Sequence, residues 1–191
     1  MRTTDPIKKK NDIRRMREYY LKKGAYRNFL LISFGLNTGL RICDILRLKA
    51  EDVFDFQNRV MRDYIQIKEK KTGKFISIKI NAALKKDIRT YFKECGKVCG
   101  KFLFESNRGN KAISRIQAYR IIKKAAVICR IEGRIGCHSL RKTFGYFAWK
   151  SGVQPVLLMN LFNHSSFEIT KRYLGIEQEE RDSVYMKLKY Q

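Results

Sequence analysis

A mainly α-helical domain carrying one small antiparallel sheet, an α+β arrangement dominated by helices, is the fold class this sequence predicts. Two observations carry the expectation. Apolar residues recur at helical spacing between cap and breaker signals over most of the chain, whereas strict alternation is confined to residues 64–80. Size supplies a third: 191 residues suit one domain, long enough to bury a core without disulfides or a structural metal.

Residues 1–11 are polar and basic, interrupted by Pro6, and are expected to be loosely ordered. Residues 12–22 place Ile13, Met16 and Tyr20 on one helical stripe, which Gly24 ends. The most apolar helix is predicted over 25–38, with Phe29, Leu30, Ile32, Ser33 and Leu36 facing the core and Gly39 closing it. Arg41 enters a short helix whose Ile42, Ile45 and Leu46 face inward. Near Val60 the period changes to alternation, predicting strands over 64–68 and 75–80 joined by a turn at Thr72 and Gly73.

Asn81 caps a helix over 82–95, residues 102–104 form a buried linker, and 105–111 a polar loop. Ser114 caps a long helix to about residue 131, whose outward face carries Arg115, Arg120, Lys123 and Lys124. A helix over 138–151 ends at Gly152, and Pro155 suits the first turn of the next, over 154–162. Helices over 167–174 and 177–188 complete the chain. The whole of residues 1–191 reads as a single domain, with residues 176–191 as a tail.

Lysine and arginine total 42 against 18 aspartates and glutamates, a net charge of +24. Such a field favours a polyanion, most simply nucleic acid, over an anionic membrane surface or a merely solvated basic coat. The longest apolar run, residues 29–36, is eight residues, too short to span a bilayer. No secretory signal pattern opens the sequence, so a cytoplasmic location is expected. Five cysteines, an odd number without a Cys-x-x-Cys pair, read as reduced thiols; Cys95 and Cys99 with His138 make a weaker zinc alternative. No acidic cluster is present to hold a metal, and neither metal nor cofactor is expected.

Both histidines, His138 and His164, fall in one stretch with Arg141 between them and Tyr173 nine residues after the second. On a helix, His138 and Arg141 share a face. A guanidinium forks onto phosphate oxygens, imidazoles donate or relay protons, and a tyrosine beside such a clamp is a candidate nucleophile. Taken singly, each has a plainer reading: a histidine packed in the core, Arg41 paired with Asp44, hairpin-tip lysines in water.

Together they resemble a family. His138-x-x-Arg141, then His164, then Tyr173 resembles the C-terminal half of the tyrosine recombinases, or phage-type integrases. Gly39-Leu40-Arg41-Ile42-Cys43-Asp44-Ile45-Leu46 looks like the box of the family's first catalytic arginine, and Lys70-Lys71-Thr72-Gly73-Lys74 like the turn that keeps its lysine. The resemblance implies a tyrosine-recombinase catalytic-domain fold of the DNA breaking–rejoining type, and a site-specific recombinase working through a 3′-phosphotyrosine without metal.

It implies Tyr173 as nucleophile, Arg41 and Arg141 as donors to the phosphorane oxygens, and His138 as acceptor of the tyrosine proton or orienter of the phosphate. His164 would donate to a non-bridging oxygen, and Lys71 would protonate the departing 5′-oxygen. Lys70, Lys74, Arg115, Arg120, Lys123, Lys124 and Lys142 would contact DNA. The partners implied are double-stranded DNA and further copies of the chain, four at synapsis.

Departures from the family pattern are Asn163 where glycine is frequent, Lys142 where histidine is frequent, and a long separation of Arg41 from Lys71. No separate N-terminal DNA-clamping domain is expected in these residues, as in a minimal recombinase or the catalytic part of a longer protein. A type IB topoisomerase-like nicking and rejoining enzyme, or a non-catalytic DNA-binding regulator keeping the fold, would share much of this sequence. The tail combines Glu177, Glu179, Glu180 and Asp182 with a stripe of Val184 and Leu188, beside Tyr185, suited to docking on its own domain or a neighbour's. The resemblance implies the neighbour.

Overall fold

The computed structural model describes residues 4–95, 101–107 and 109–187. Through them run α1 (Lys10–Lys22), α2 (Tyr26–Thr38), α3 (Ile42–Ile45), β1 (Phe54–Asp55), β2 (Val60–Met61), β3 (Tyr64–Lys68), β4 (Phe75–Lys79), α4 (Ala82–Cys95), α5 (Arg115–Ile128), α6 (Cys137–Lys150), α7 (Pro155–Phe162), α8 (Phe167–Leu174) and α9 (Glu177–Lys187). The mainly α expectation holds. The sheet is divided: β3 and β4 pair antiparallel from Tyr64 opposite Lys79 to Lys68 opposite Phe75, and β1 with β2 forms a separate two-stranded ladder. Strands of two residues are too short to show alternation, which is why that ladder was not foreseen.

Helix α2 is apolar on all sides because it is covered on all sides, by α1, α4 and α6. Its Leu30, Leu31 and Phe34 join Leu84, Ile88 and Phe104 in one cluster, while Phe29 and Ile32 join Met16, Tyr20 and Ile122 in another. Gly39 closes the helix at φ 61°, and a Cβ there would lie 2.5 Å from the Phe144 ring, so both conformation and space call for glycine. A third cluster, Tyr146, Leu158, Phe162, Leu174 and Ile176, joins α6 to α7 and α8. It forms because Gly145 lets helices approach; a Cβ there would stand 2.5 Å from Phe162.

Residues 4–9, expected to be loose, are ordered. The Asp5 N–H donates to the Arg134 carbonyl at 3.0 Å, and the Ile7 N–H to Thr143 Oγ1 at 2.8 Å. Ile7, an apolar side chain in a basic run, is 2 % exposed and packs with the α1–α5 cluster, so this segment orders and α1 begins at Lys10. Residues 1–3 lie outside the described residues.

The caps appear as expected: Leu84 N–H donates to Asn81 Oδ1 at 2.8 Å, and Ser114 and Gln117 form a reciprocal capping box at the start of α5. That helix ends at Ile128, short of residue 131. Helix α9 buries none of its residues, leaving Val184, Tyr185 and Met186 exposed; Leu188 lies outside the described residues. Among the described residues no helix is long and apolar enough to cross a membrane.

Candidate active site

Arg41 is the extended residue that precedes α3 (φ −68°, ψ 144°), so its side chain leaves the helix axis and reaches the β3–β4 turn. There it pairs with Glu69, whereas Asp44 accepts from the Lys70 backbone N–H at 2.9 Å. The turn is closed by Glu69 N–H to the Lys74 carbonyl and Gly73 N–H to the Glu69 carbonyl, both 2.9 Å, which holds Lys71 exposed at its tip. Lys74 Nζ reaches Asn163 Oδ1 at 3.0 Å, spanning from the turn to the α7–α8 junction.

His138 and Arg141 stand one turn apart on α6, His138 at the open mouth and Arg141 beneath it at 5 % exposure. Arg141 donates through Nη1 to the Gly39 carbonyl and through Nη2 to the Leu161 carbonyl at 3.3 Å, and lies 4.8 Å from the Phe162 ring centre. It therefore fixes the end of α2 against the end of α7. Asn163 takes φ 57°, the left-handed cap for which glycine is the usual residue and asparagine a tolerated one. That turn delivers His164, whose Nδ1 lies 3.0 Å from Thr170 Oγ1 and whose ring meets Tyr173 edge-on at 5.1 Å.

Arg41, Lys71, His138, Arg141, His164 and Tyr173 line one cavity of about 170 Å³, with Thr72, Phe162 and Asn163 completing it. Size does not select this site. A larger cleft of about 680 Å³ is lined by Glu51, Asp52, Asp55 and Asp63, whose carboxylates would repel a phosphate.

Burial, aided by Arg115, Arg141, Lys142 and Arg41, pushes the His138 pKa below its ordinary value of 6.5. Burial also lowers His164, assisted by Arg141, Arg41 and Lys71. Both imidazoles are therefore held toward the neutral form, which can accept a proton. Tyr173 is raised by burial, against the opposing charge and hydrogen bonding of Arg141 and the charge of Arg41. It rests as a phenol, and its use as a nucleophile requires a nearby base. The cleft can thus hold a tetrahedral anion between fixed cations with a phenol, neutral imidazoles and an ammonium around it.

Lys142 is a correction. Expected on DNA, it is 6 % exposed, donates to the Thr4 carbonyl at 2.7 Å, and lies 4.9 Å from the Tyr173 ring centre. One residue along a helix turns the side chain by about 100°, away from the face that His138 and Arg141 share and behind the tyrosine. Burial lowers its pKa, with Asp5 opposing. The other expected contacts are accessible: Lys70 and Lys74 on the hairpin and Arg115, Arg120 and Lys124 on α5 are exposed, and Lys123 is half-buried. Of these, the charge of Arg115 acts on His138.

Residues that sequence reasoning missed are Glu69, Thr170 and Phe162, which respectively hold Arg41, His164 and Arg141. Spacing offered a signal for Thr170 alone, one turn before Tyr173 on an amphipathic helix. Arg41 pairs with Glu69 and not with Asp44, the neighbour that the plainer reading named. Cys99, a member of the zinc alternative, lies outside the described residues, among which no metal-holding group of His, Cys, Asp or Glu occurs.

The phage integrase family model matches residues 8–180. A probable integrase/recombinase, YoeC, of Bacillus subtilis (strain 168) is 40% identical over 185 residues, 97% of each chain. A tyrosine recombinase of Pseudothermotoga lettingae is 26% identical, covering 93% of this chain and 59% of its own length. Among solved structures, XerA recombinase superposes with a TM-score of 0.74 at 19% identity, over 100% of this chain and 66% of that one. A lambda integrase dimer bound to a COC′ core site gives 0.66 at 15% identity, over 91% and 60%. This chain therefore spans nearly all of the Bacillus relative and roughly three-fifths to two-thirds of the other three. With a family model matched over nearly its whole length and a relative of equal extent at 40% identity, the chain belongs to the phage integrase family.

Proposed function

We propose that this chain is a site-specific DNA recombinase, acting in the cytoplasm, that cleaves and rejoins DNA through a 3′-phosphotyrosine. The observation that carries the reading is the convergence of Arg41, Lys71, His138, Arg141, His164 and Tyr173 on one small cavity. Tyr173 Oη attacks the phosphorus and the bond to the 5′-oxygen breaks. The phenolic proton passes to His138, and Lys71 gives a proton to the departing oxygen. Arg41, Arg141 and His164 donate to the non-bridging oxygens, whose charge grows in the phosphorane; fixed donors aimed at developing charge supply much of such an acceleration. Rejoining runs the same steps backwards, with a 5′-hydroxyl attacking the phosphotyrosine.

The test is covalent trapping. Duplex recovered by sequencing DNA bound in cells is nicked just 3′ of the candidate scissile phosphate, so that the short piece released with a 5′-hydroxyl diffuses away and the adduct accumulates. The expected result is a protein–DNA adduct that forms in the presence of a chelator. DNA binding without any adduct would favour a regulator that keeps the fold. Adducts of equal yield on unrelated duplexes, with supercoil relaxation by single chains, would favour the topoisomerase-like reading.

Recombination pairs two duplexes, and the lambda integrase relatives include a tetramer bound to a Holliday junction. Assembly of this chain as a tetramer rests on its tail. Ile176 is buried and Glu179 is tied to Lys8 and Tyr146, so the first turn of α9 belongs to its own domain. Val184, Tyr185 and Met186, 56, 75 and 80 % exposed, remain for a neighbouring copy. Removal of the residues after Arg181 should spare single-site binding and impair synapsis in a two-site assay. Normal synapsis would leave the tail without that role.

A further inference from the structure

A buried carboxylate pairs with Arg41, one of the cations that line the cleft, without lining the cleft itself, and the mechanism above makes no use of it. Glu69 is 8 % exposed. Fixed beside a phosphate-binding arginine in partly desolvated surroundings, it repels the anion that the cations attract. Its contacts supply a compensating reason. Oε1 takes the Arg41 Nη1 hydrogen bond and Oε2 takes that of Thr72 Oγ1 at 2.6 Å. One side chain therefore ties the arginine that precedes α3 to the residue beside Lys71.

The backbone repeats the connection. Lys70 N–H donates to Asp44 Oδ1 at 2.9 Å, Gly73 N–H to the Glu69 carbonyl at 2.9 Å, and Lys74 N–H to Thr72 Oγ1 at 3.3 Å. Arg41 and Lys71 must act on different oxygens of one phosphorus, and they come from separate elements. An error of about 1 Å in their relation can cost on the order of 10²-fold in rate. With Glu69 engaged at one Nη, the other guanidinium N–H groups are left to meet the phosphate.

We propose that Glu69 is the positioning residue that holds the hairpin turn carrying Lys71 in register with Arg41, an inference resting on the strand-transfer reading of this cleft. Thr72 is the link from Glu69 to the turn. The carboxylate is a permanent brace, present with and without DNA, and not a stand-in for the phosphate.

The experiment follows adduct formation by the full chain on the nicked duplex, once with the ordinary bridging 5′-oxygen and once with sulfur there. A thiolate leaves without needing a proton, so the sulfur substrate removes the demand on Lys71. Thr72→Val and Glu69→Ala should slow the oxygen substrate by about 10- to 100-fold, while DNA affinity stays within about threefold. Sulfur should restore Thr72→Val as it restores Lys71→Ala, restore Glu69→Ala in part, and leave Arg41→Ala slow. Thr72→Val preserves shape at a half-exposed position, which keeps the test valid if Glu69→Ala folds poorly. Faster or undiminished cleavage by Glu69→Ala would overturn the inference and make the carboxylate a competitor of phosphate. So would an equal Thr72→Val defect on both substrates. Absence of any adduct from the wild-type chain would instead overturn the functional reading itself.

Discussion

The two walls of the cleft hold their reactive groups by different physics. On the α3 and β3–β4 side, charge and hydrogen bonds do the fixing: Arg41 on Glu69, Glu69 on Thr72, Lys70 on Asp44. On the α6–α8 side, rings pack on rings. Phe162 meets Tyr173 at 5.3 Å and His164 at 5.7 Å, Lys142 closes the back, and Leu174 is fully buried. The first wall must offer charge to an incoming phosphate and keeps Lys70, Lys71 and Lys74 exposed, while Glu69 and Asp44 behind them are buried. The second must keep a neutral phenol aimed and shielded until it is deprotonated. Changes at the exposed groups of the first wall should therefore slow chemistry at little cost in stability, and changes in the second should do both unless they preserve shape.

Tyr173→Phe is the sharpest test, because it keeps the packing of the second wall and removes only the oxygen proposed to attack. Adduct formation should vanish while DNA affinity and melting temperature stay close to wild type. An adduct of unchanged yield would mean that another tyrosine attacks, and Tyr185 would be the next to replace.

The arginines, one on each wall, should differ in a way that affinity alone would miss. Arg41→Ala and Arg141→Ala should each slow cleavage by roughly 10²–10³-fold, the usual loss for one transition-state donor. Arg141→Ala should also destabilise the fold, since it strips a donor from the Gly39 and Leu161 carbonyls, at about 1–3 kcal/mol for a buried group left unpaired. Arg41→Ala leaves the buried Glu69 carboxylate with Thr72, so the fair comparison is the Arg41→Ala, Glu69→Gln double variant, which should melt nearer to wild type. Equal losses of stability in denaturant titrations would erase the distinction between the walls.

Lys142 probes the second wall from behind. An ammonium buried on a carbonyl, with Asp5 acting on it only through its charge, is a poor contributor to stability, so Lys142→Met should leave the melting temperature unchanged or raise it. A desolvated cation against an aromatic ring is worth about 2 kcal/mol or more. Its loss should let Tyr173 wander and slow cleavage by about tenfold, with Lys142→Arg intermediate. Unaltered single-turnover rates would reduce Lys142 to a clamp on Thr4.

What could be read from the chain beforehand follows the same division. His138, Arg141, His164 and Tyr173 were legible because few residue types can do their chemistry and helical spacing places the first two on one face. Asn163 was legible as a departure, and its left-handed backbone explains why asparagine stands where glycine is frequent. Glu69 was not legible. In the run Lys68-Glu69-Lys70-Lys71 it looks like one more solvated charge, and its burial comes from a partner far away in sequence. Lys142 misled for the opposite reason, since its identity suggested a phosphate contact and only the helix direction says otherwise. Ile7 shows that a single apolar residue can anchor a segment whose composition reads as loose.

The smallest expected effect concerns both histidines, one near each edge of the second wall. His138 and His164 both have folded pKa values below their ordinary 6.5, burial being the first cause in each. The unfolded chain therefore binds more protons than the folded one between those depressed values and 6.5. Stability from this source is complete above about pH 6.5 and is lost as the pH falls through the folded values. Each fully buried group would contribute about 1.4 kcal/mol per pH unit. His138 is exposed at the mouth and His164 only partly covered, so solvent screening makes the real slope a fraction of that. Melting temperature should decline modestly from pH 7.5 to 5.5 in the DNA-free chain, and less in a His138→Gln, His164→Gln double variant. DNA reverses the sign of the local field, because a bound phosphate favours the imidazolium and offsets the nearby arginines. The complex should thus lose less stability on acidification than the free chain. Parallel pH profiles for wild type and the double variant would show that the imidazoles are not held neutral, and His138 would then be unavailable as the base for Tyr173.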